Sequence, residues 1–232
     1  MTTFNFGDIK EKSSVNSSNY LKPWGIYEVK FEGLELNTIK GSKDPSKEYH
    51  TIKRSFSGAE GNFNDNMFIP NSDTDAERMT HTSSNGHEYQ SPSRFEEFKW
   101  SLLQLAQVIN PEGYEKLKTQ SSKIRTMDDF IKVVMNVVNA KIGTTTKLKL
   151  TGRNSDGRVY AQIPRVCAIN KEGECFICNN YVGENVSFTA YEARQADSYN
   201  NSAPTDMNTI ATQQTVSSGG SEDELDFDSL LA

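Results

Sequence analysis

Three short segments that alternate apolar and polar residues follow one another between Trp24 and Pro70, and this is the feature that most restricts the fold. Ile26, Glu28 and Lys30 interleave with Tyr27, Val29 and Phe31, and Leu34 and Leu36 flank Glu35. A period of two, with β-branched and aromatic residues, is the pattern of a half-buried strand. Gly33 within it predicts a bulge or sharp bend. Glu48 to Phe56 and Phe63 to Ile69 read as two further strands. The basic turn Lys40-Gly-Ser-Lys-Asp-Pro-Ser-Lys47 joins the first pair, and a short turn from Gly58 to Gly61 joins the second. Three strands this close in sequence make an antiparallel meander.

The pattern then changes period. Residues 71–92 are a polar loop. Ser93 and Glu96 have capping-box spacing, and Phe95, Phe98, Leu102, Leu105 and Ile109 follow at helical intervals up to Asn110-Pro111. Thr126 and Asp129 cap a second helix, whose apolar face is Met127, Ile131, Val134 and Val138 and which Gly143 stops. Strands resume at Thr144–Leu150, turn at Asn154-Ser-Asp-Gly157 and return through Arg158–Ile163. Val166 to Ile169 adds a short segment, and Glu174 to Tyr191 a further strand or hairpin. The fold class is therefore mainly β with a helical insert (α+β). Three strands, two helices and two more strands is the order of an OB-like five-stranded barrel, and of other small mixed barrels as well.

Charge divides the chain more sharply than its net value of -6 suggests. Residues 20–195 are close to neutral. Residues 196–232 contain no lysine or arginine, but carry Asp197, Asp206, Glu222, Asp223, Glu224, Asp226 and Asp228. The expected organisation is a flexible arm over 1–19, a folded domain over 20–195, and a disordered linker with an acidic tail over 196–232. Phe4 and Phe6 make the arm a candidate for self-association, so a homo-oligomer is one expected assembly. No apolar run approaches the roughly 20 residues of a membrane span, and the first 20 residues lack the pattern of a secretory leader. A cytoplasmic protein is expected.

Cations and exposed aromatics concentrate on the strands and their turns. Lys40, Lys43 and Lys47 lie in or beside the first turn. Tyr49 and Lys53 share a face of the second strand; Arg54 lies on the other, with Ile52 and Phe56, and is either a groove residue or marks a place where the strand twists out of the core. Lys147 and Lys149 share a face of the fourth strand, opposite Leu148 and Leu150. Arg153 and Arg158 flank the Asn-Ser-Asp-Gly turn, with Tyr160 on the side of Arg158. Cations that follow a phosphate backbone, together with aromatic faces that stack on bases, are what single-strand binding requires. Trp24, Tyr27 and Phe63 are further stacking candidates, whereas Phe31, Phe56, Phe95 and Phe98 occupy core-like positions. An ordinary solvated β surface, where lysine protects strand edges, explains any one of these lysines equally well.

No Walker A, nucleophile elbow, HExxH or dinucleotide fingerprint occurs, and the protein is not expected to be an enzyme. Cys167, Cys175 and Cys178 would need His50, His81 or His87 to complete a zinc site. Their strand-like setting, without a second CxxC, reads instead as small buried hydrophobes. No metal or cofactor is expected.

The tip Glu222-Asp-Glu-Leu-Asp-Phe-Asp-Ser-Leu-Leu231 mixes carboxylates with Leu225, Phe227, Leu230 and Leu231. With this tail, the chain resembles the single-stranded DNA-binding proteins of bacteriophages, which join an OB-fold core through a flexible linker to an acidic, partly apolar C-terminus. Tyr27-Glu-Val-Lys-Phe, Glu48-Tyr-His-Thr-Ile-Lys, Phe63–Pro70 and Tyr160-Ala-Gln-Ile-Pro164 are similar to those of large-genome tailed phages. The resemblance implies sequence-tolerant coating of single strands in phage replication, recombination and repair, within the host cytoplasm. It also implies a tail, residues Glu222 to Asp228 with Leu230 and Leu231, that recruits a polymerase, helicase or primase and competes with DNA. A strand-annealing protein and a barrel-based structural adaptor are the alternative expectations.

Overall fold

In a computed structural model, the structure describes residues 20–41, 44–120, 124–164, 169–174 and 180–202. The three alternating segments form β1 (Gly25–Lys40), β2 (Glu48–Gly58) and β3 (Gly61–Phe68). After the helical insert come β6 (Thr145–Ser155) and β7 (Arg158–Gln162), and the antiparallel sheet runs β3-β2-β1-β6-β7. The long β1 serves both halves. Gly25–Lys30 pair with β6, and Lys30–Lys40 pair with β2. The handover falls at a bulge between Phe31 and Gly33, where Gly33 takes φ +131°. Asn139, at the end of a helix, fixes the bend. It donates to the Leu34 carbonyl at 2.9 Å and accepts from the Leu34 N–H at 2.8 Å. The sequence expectation of a bend at Gly33 thus corresponds to the bulge through which one strand joins two half-sheets.

Alternation sets the core. Val29, Phe31, Ile52, Phe56, Phe63, Leu148 and Leu150 project from one face of the sheet and are buried. Phe31 and Phe56 are cross-strand partners and meet edge to face, with ring centroids 5.8 Å apart. Against them pack α1 (Arg94–Ile109), through Phe98, Leu102 and Leu105, and α3 (Met127–Asn139), through Ile131, Val134 and Val138. Phe95, expected in the core, is half-buried. The expected capping box is present: Ser93 accepts from Glu96 N at 3.3 Å and donates its own N–H to Glu96 Oε2 at 2.9 Å. Arg78 grips the same carboxylate, and this hydrogen bonding holds Glu96 down to about 2.

Four features differ from the sequence reading. First, the insert holds three helices, not two. Asn110-Pro111 ends α1 but also starts α2 (Pro111–Gln120), because proline is suited to the first helical turn. Asn110 serves both helices: its N–H bonds Ala106 O, and its side chain accepts from Gly113 N at 3.0 Å. Second, the polar loop of 71–92 contains a 3-10 turn (Asp73–Ala76) and a hairpin of β4 (Thr80–Thr82) and β5 (Glu88–Gln90). Alternation too short to read from sequence is held there by His81 stacked on Tyr89, 5.2 Å between centroids.

Third, the sheet is open. Among the described residues no ladder joins β3 to β7, so the expected closed barrel is corrected to a five-stranded antiparallel sheet with two edges. The segment before β1 spans part of the gap. Leu21 N bonds Asn62 O on the outer edge of β3 at 3.0 Å. Trp24 lies on Gly152 of β6, where any Cβ would come within 2.2 Å of the indole nitrogen. Fourth, in the described part of the expected strand or hairpin over Glu174–Tyr191, residues 180–191, no strand forms. Tyr181 and Gly183 hydrogen-bond β6 as an isolated bridge, and α4 (Ala190–Ser202) follows. Position 196, the expected start of the linker, lies inside α4, and Ala196 is buried. The arm over 1–19 and the tail from 203 onward lie outside the described residues, as do residues 166–168 of the short segment expected over Val166–Ile169 and the three cysteines; Ile169 itself bridges Gln90. Among the described residues no helix is long and apolar enough to cross a membrane.

Candidate nucleic-acid interface

The face of the sheet away from the helices carries most of the expected cations and aromatics, which the ladder divides into two clusters. The first forms where β1 turns into β2. There Ile39, Lys40, Gly41, Asp44, Lys47, Tyr49 and Phe68 line an open groove of about 600 Å³. Ile39 and Tyr49 are cross-strand partners, and Phe68 at the end of β3 lies opposite Thr51, two residues along from Tyr49 on the same face. Tyr49 and Phe68 are exposed at 41% and 57%, and their rings meet edge to face with centroids 5.9 Å apart. Two aromatic rings left in solvent beside two lysines present an apolar platform bordered by cations. The sequence reading identified Lys40, Lys47 and Tyr49. It missed Phe68, which stands last before Ile69-Pro70 and reads as one more inward strand residue; only the parity of β3 against buried Phe63 would have found it. Lys43 lies outside the described residues.

The second cluster is the β6–β7 hairpin. Asp156 and Gly157 both have positive φ (51° and 74°), which suits the tight two-residue turn the sequence announces. Arg153 and Tyr160 are direct cross-strand partners, and Arg158 is two residues from Tyr160 on the same face. All three are exposed, with Tyr160 at 51%. No ion pair engages Lys147, Arg153 or Arg158 among the described residues. The two clusters lie toward opposite ends of β1: the first follows Lys40, while the second extends past the Gly25 end.

Two expected interface cations are buried instead. Arg54 is 4% exposed and points to the core side of β2. It pairs with Asp65 of β3, donates to Tyr181 Oη at 3.1 Å, and lies 5.3 Å from the centre of the Tyr181 ring. Tyr181 in turn donates to Ser101 O at 2.5 Å, and burial pushes its phenol above the ordinary range. Lys149 is on the same side of β6 as exposed Lys147, but only 1% exposed. The segment 181–192 covers it, and its Nζ donates to Ser187 O and to Glu192 Oε2, both at 3.0 Å. Parity puts Lys149 with exposed Lys147 and cannot reveal what a distant segment lays over a strand, whereas Arg54 has the parity of buried Ile52 and Phe56. Tyr27 and Phe63, read as stacking candidates, are core residues at 9% and 6% exposure, and Trp24 is half-buried on Gly152.

The open face is not uniformly basic. Lys47 is 3.9 Å from Asp44 and Lys53 is 3.8 Å from Glu35. These are solvent-exposed pairs of small energetic weight, so the lysines stay available to an incoming polyanion. Among the described residues no group of three His, Cys, Asp or Glu side chains is placed to hold a metal ion. Comparison of the chain with protein-family models, with curated proteins and with solved structures finds no match.

Proposed function

We propose that the protein binds single-stranded DNA without sequence specificity, as phage single-stranded DNA-binding proteins do, and that its sheet is an opened five-stranded barrel of the OB type. The observation that carries this reading is the groove at the β1–β2 turn, where exposed Tyr49 and Phe68 stand beside Lys40 and Lys47. Aromatic faces with flanking cations suit bases and phosphates together. The strand order and the bulged, shared β1 support the OB-type reading, because a first strand divided between two half-sheets is what such a barrel needs. Lys147, Arg153, Arg158 and Tyr160 extend the binding surface along β6 and β7.

Titration with oligo(dT), followed by quenching of intrinsic fluorescence, tests the reading. Binding should weaken steeply with salt, with a log–log slope near -0.7 per neutralised phosphate. Lys147→Ala should reduce that slope by roughly one phosphate's share. Absence of oligo(dT) binding would favour the adaptor reading, for which the exposed pairs Lys47–Asp44 and Lys53–Glu35 are the supporting observation, since they make the open face nearly neutral.

The acidic residues Glu222, Asp223, Glu224, Asp226 and Asp228, with Leu225, Phe227, Leu230 and Leu231, are proposed as a partner-binding tip that recruits replication proteins and competes with DNA for the cations. Removal of 221–232 should tighten oligo(dT) binding at low salt and change it little near 1 M, where the Debye length is about 3 Å. It should also abolish partner recruitment. Weaker DNA binding by the truncated protein would count against this role.

A further inference from the structure

Beside the aromatic groove runs a feature that cation and aromatic patterns do not explain. On β3, Asn62, Asn64 and Asn66 project from the open face, and all three are exposed. They stand opposite Ser57, Ser55 and Lys53 of β2, and the row ends at Phe68. Among the described residues none of the three carboxamides has a hydrogen-bonding partner. Same-face residues repeat at about 6.7 Å along a strand, which is comparable with one nucleotide of an extended single strand. We propose that these asparagines form a track that hydrogen-bonds the unpaired Watson–Crick edges of bases, and so distinguishes single from double strands. This inference rests on the single-strand reading above and names what is recognised beyond phosphate and ring faces.

The chemistry fits all four bases. A carboxamide offers a donor and an acceptor side by side. Thymine and guanine present an acceptor oxygen next to a ring N–H, and adenine and cytosine present an amino group next to a ring nitrogen. Rotation of the amide by half a turn matches either arrangement, so the contact demands an unpaired edge without demanding a particular base. In a duplex those edges are already engaged, and the track has nothing to bond. Electrostatics orients the strand. Glu32 and Glu35 of β1, bonded to Ser57 and Lys53, stand on the far side of β2 from the track. A phosphate backbone is repelled from that side, which leaves it along the outer edge of β3 beyond the Leu21–Asn62 bond, beside Asn64 and Asn66, with its bases turned inward. The track continues into the Tyr49–Phe68 platform, so one strand passes from edge recognition to stacking.

The test compares the full chain with its Asn64→Ala/Asn66→Ala variant on three probes: oligo(dT), an oligomer of N3-methylthymidine, and an abasic oligomer. Methylation at N3 blocks the edge and keeps the ring face and the phosphates. The variant is expected to lose at least roughly tenfold in affinity for oligo(dT), with an unchanged salt slope because no phosphate contact is lost. The parent is expected to bind the methylated and abasic strands more weakly than oligo(dT), and the variant to lose nothing further on either. Equal binding of oligo(dT) by parent and variant would overturn the inference, as would an equal loss on all three probes. Both outcomes would leave single-strand binding itself intact. Failure of the parent to bind oligo(dT) at all is a different result: it removes the functional reading, and this inference with it.

Discussion

Replacing Tyr49 and Phe68 together by alanine is expected to weaken oligo(dT) binding roughly a hundredfold, from the 1–3 kcal/mol that each stacked base contributes. Both rings are largely in solvent, and their main contact is with each other across the groove mouth. Their loss therefore removes little of the core, and the melting temperature should change by no more than surface substitutions usually cause. Tyr49→Phe should bind as the parent does, because stacking needs the ring and not the hydroxyl. Tyr160→Ala, on the other cluster, should cost roughly tenfold on strands long enough to span both clusters and leave shorter ones unaffected. Fluorescence titration with oligomers of graded length separates these cases. Full affinity in the Tyr49→Ala/Phe68→Ala variant would remove the groove from the binding path.

The contrast between the two clusters shows what a sequence can disclose. The meander, its bend at Gly33, both expected helix caps and the Asp156-Gly157 turn follow from local rules, and each is where those rules put it. The exposed groove was legible because Lys40, Lys47 and Tyr49 are neighbours in sequence as well as in space. Burial of Lys149 was not legible, whereas Arg54 shares the parity of buried Ile52 and Phe56. Each is covered by the segment beginning at Tyr181, more than thirty residues away along the chain. Lys149 does not differ in local pattern from exposed Lys147. The openness of the sheet was hidden for the same reason. Among the described residues no ladder joins β3 to β7, and Tyr20–Trp24 occupy part of the gap. No strand's own alternation records that. The proposed asparagine track leaves no mark of its own in sequence, because neutral amides at alternate strand positions are ordinary solvent-facing residues.

Lys149→Ala is expected to destabilise the protein by about 3–5 kcal/mol, the usual cost of breaking a buried ion pair from one side, whereas Lys147→Ala, two residues away on the same face, should cost almost nothing. The difference lies in what covers them. Lys149 Nζ satisfies the Ser187 carbonyl and the Glu192 carboxylate, with the two side chains only 1% and 8% exposed. Glu192 is also the third residue of a capping box on α4: it accepts from Thr189 N at 2.8 Å, and Thr189 Oγ1 accepts from Glu192 N at 3.2 Å. Removal of the lysine leaves a buried carboxylate whose one remaining donor is a single N–H, and the start of α4 should loosen with it. For a chain of this length the melting temperature should fall by roughly 10 °C. Lys149→Met with Glu192→Gln should recover most of the loss, since no charge is then left buried and the glutamine oxygen can still accept from Thr189. Where the variants are folded, oligo(dT) affinity should be lower in Lys147→Ala alone. If Lys149→Ala instead melts with the parent and binds DNA more weakly, Lys149 belongs to the interface, and the segment from Tyr181 to Glu192 does not cover β6 in solution.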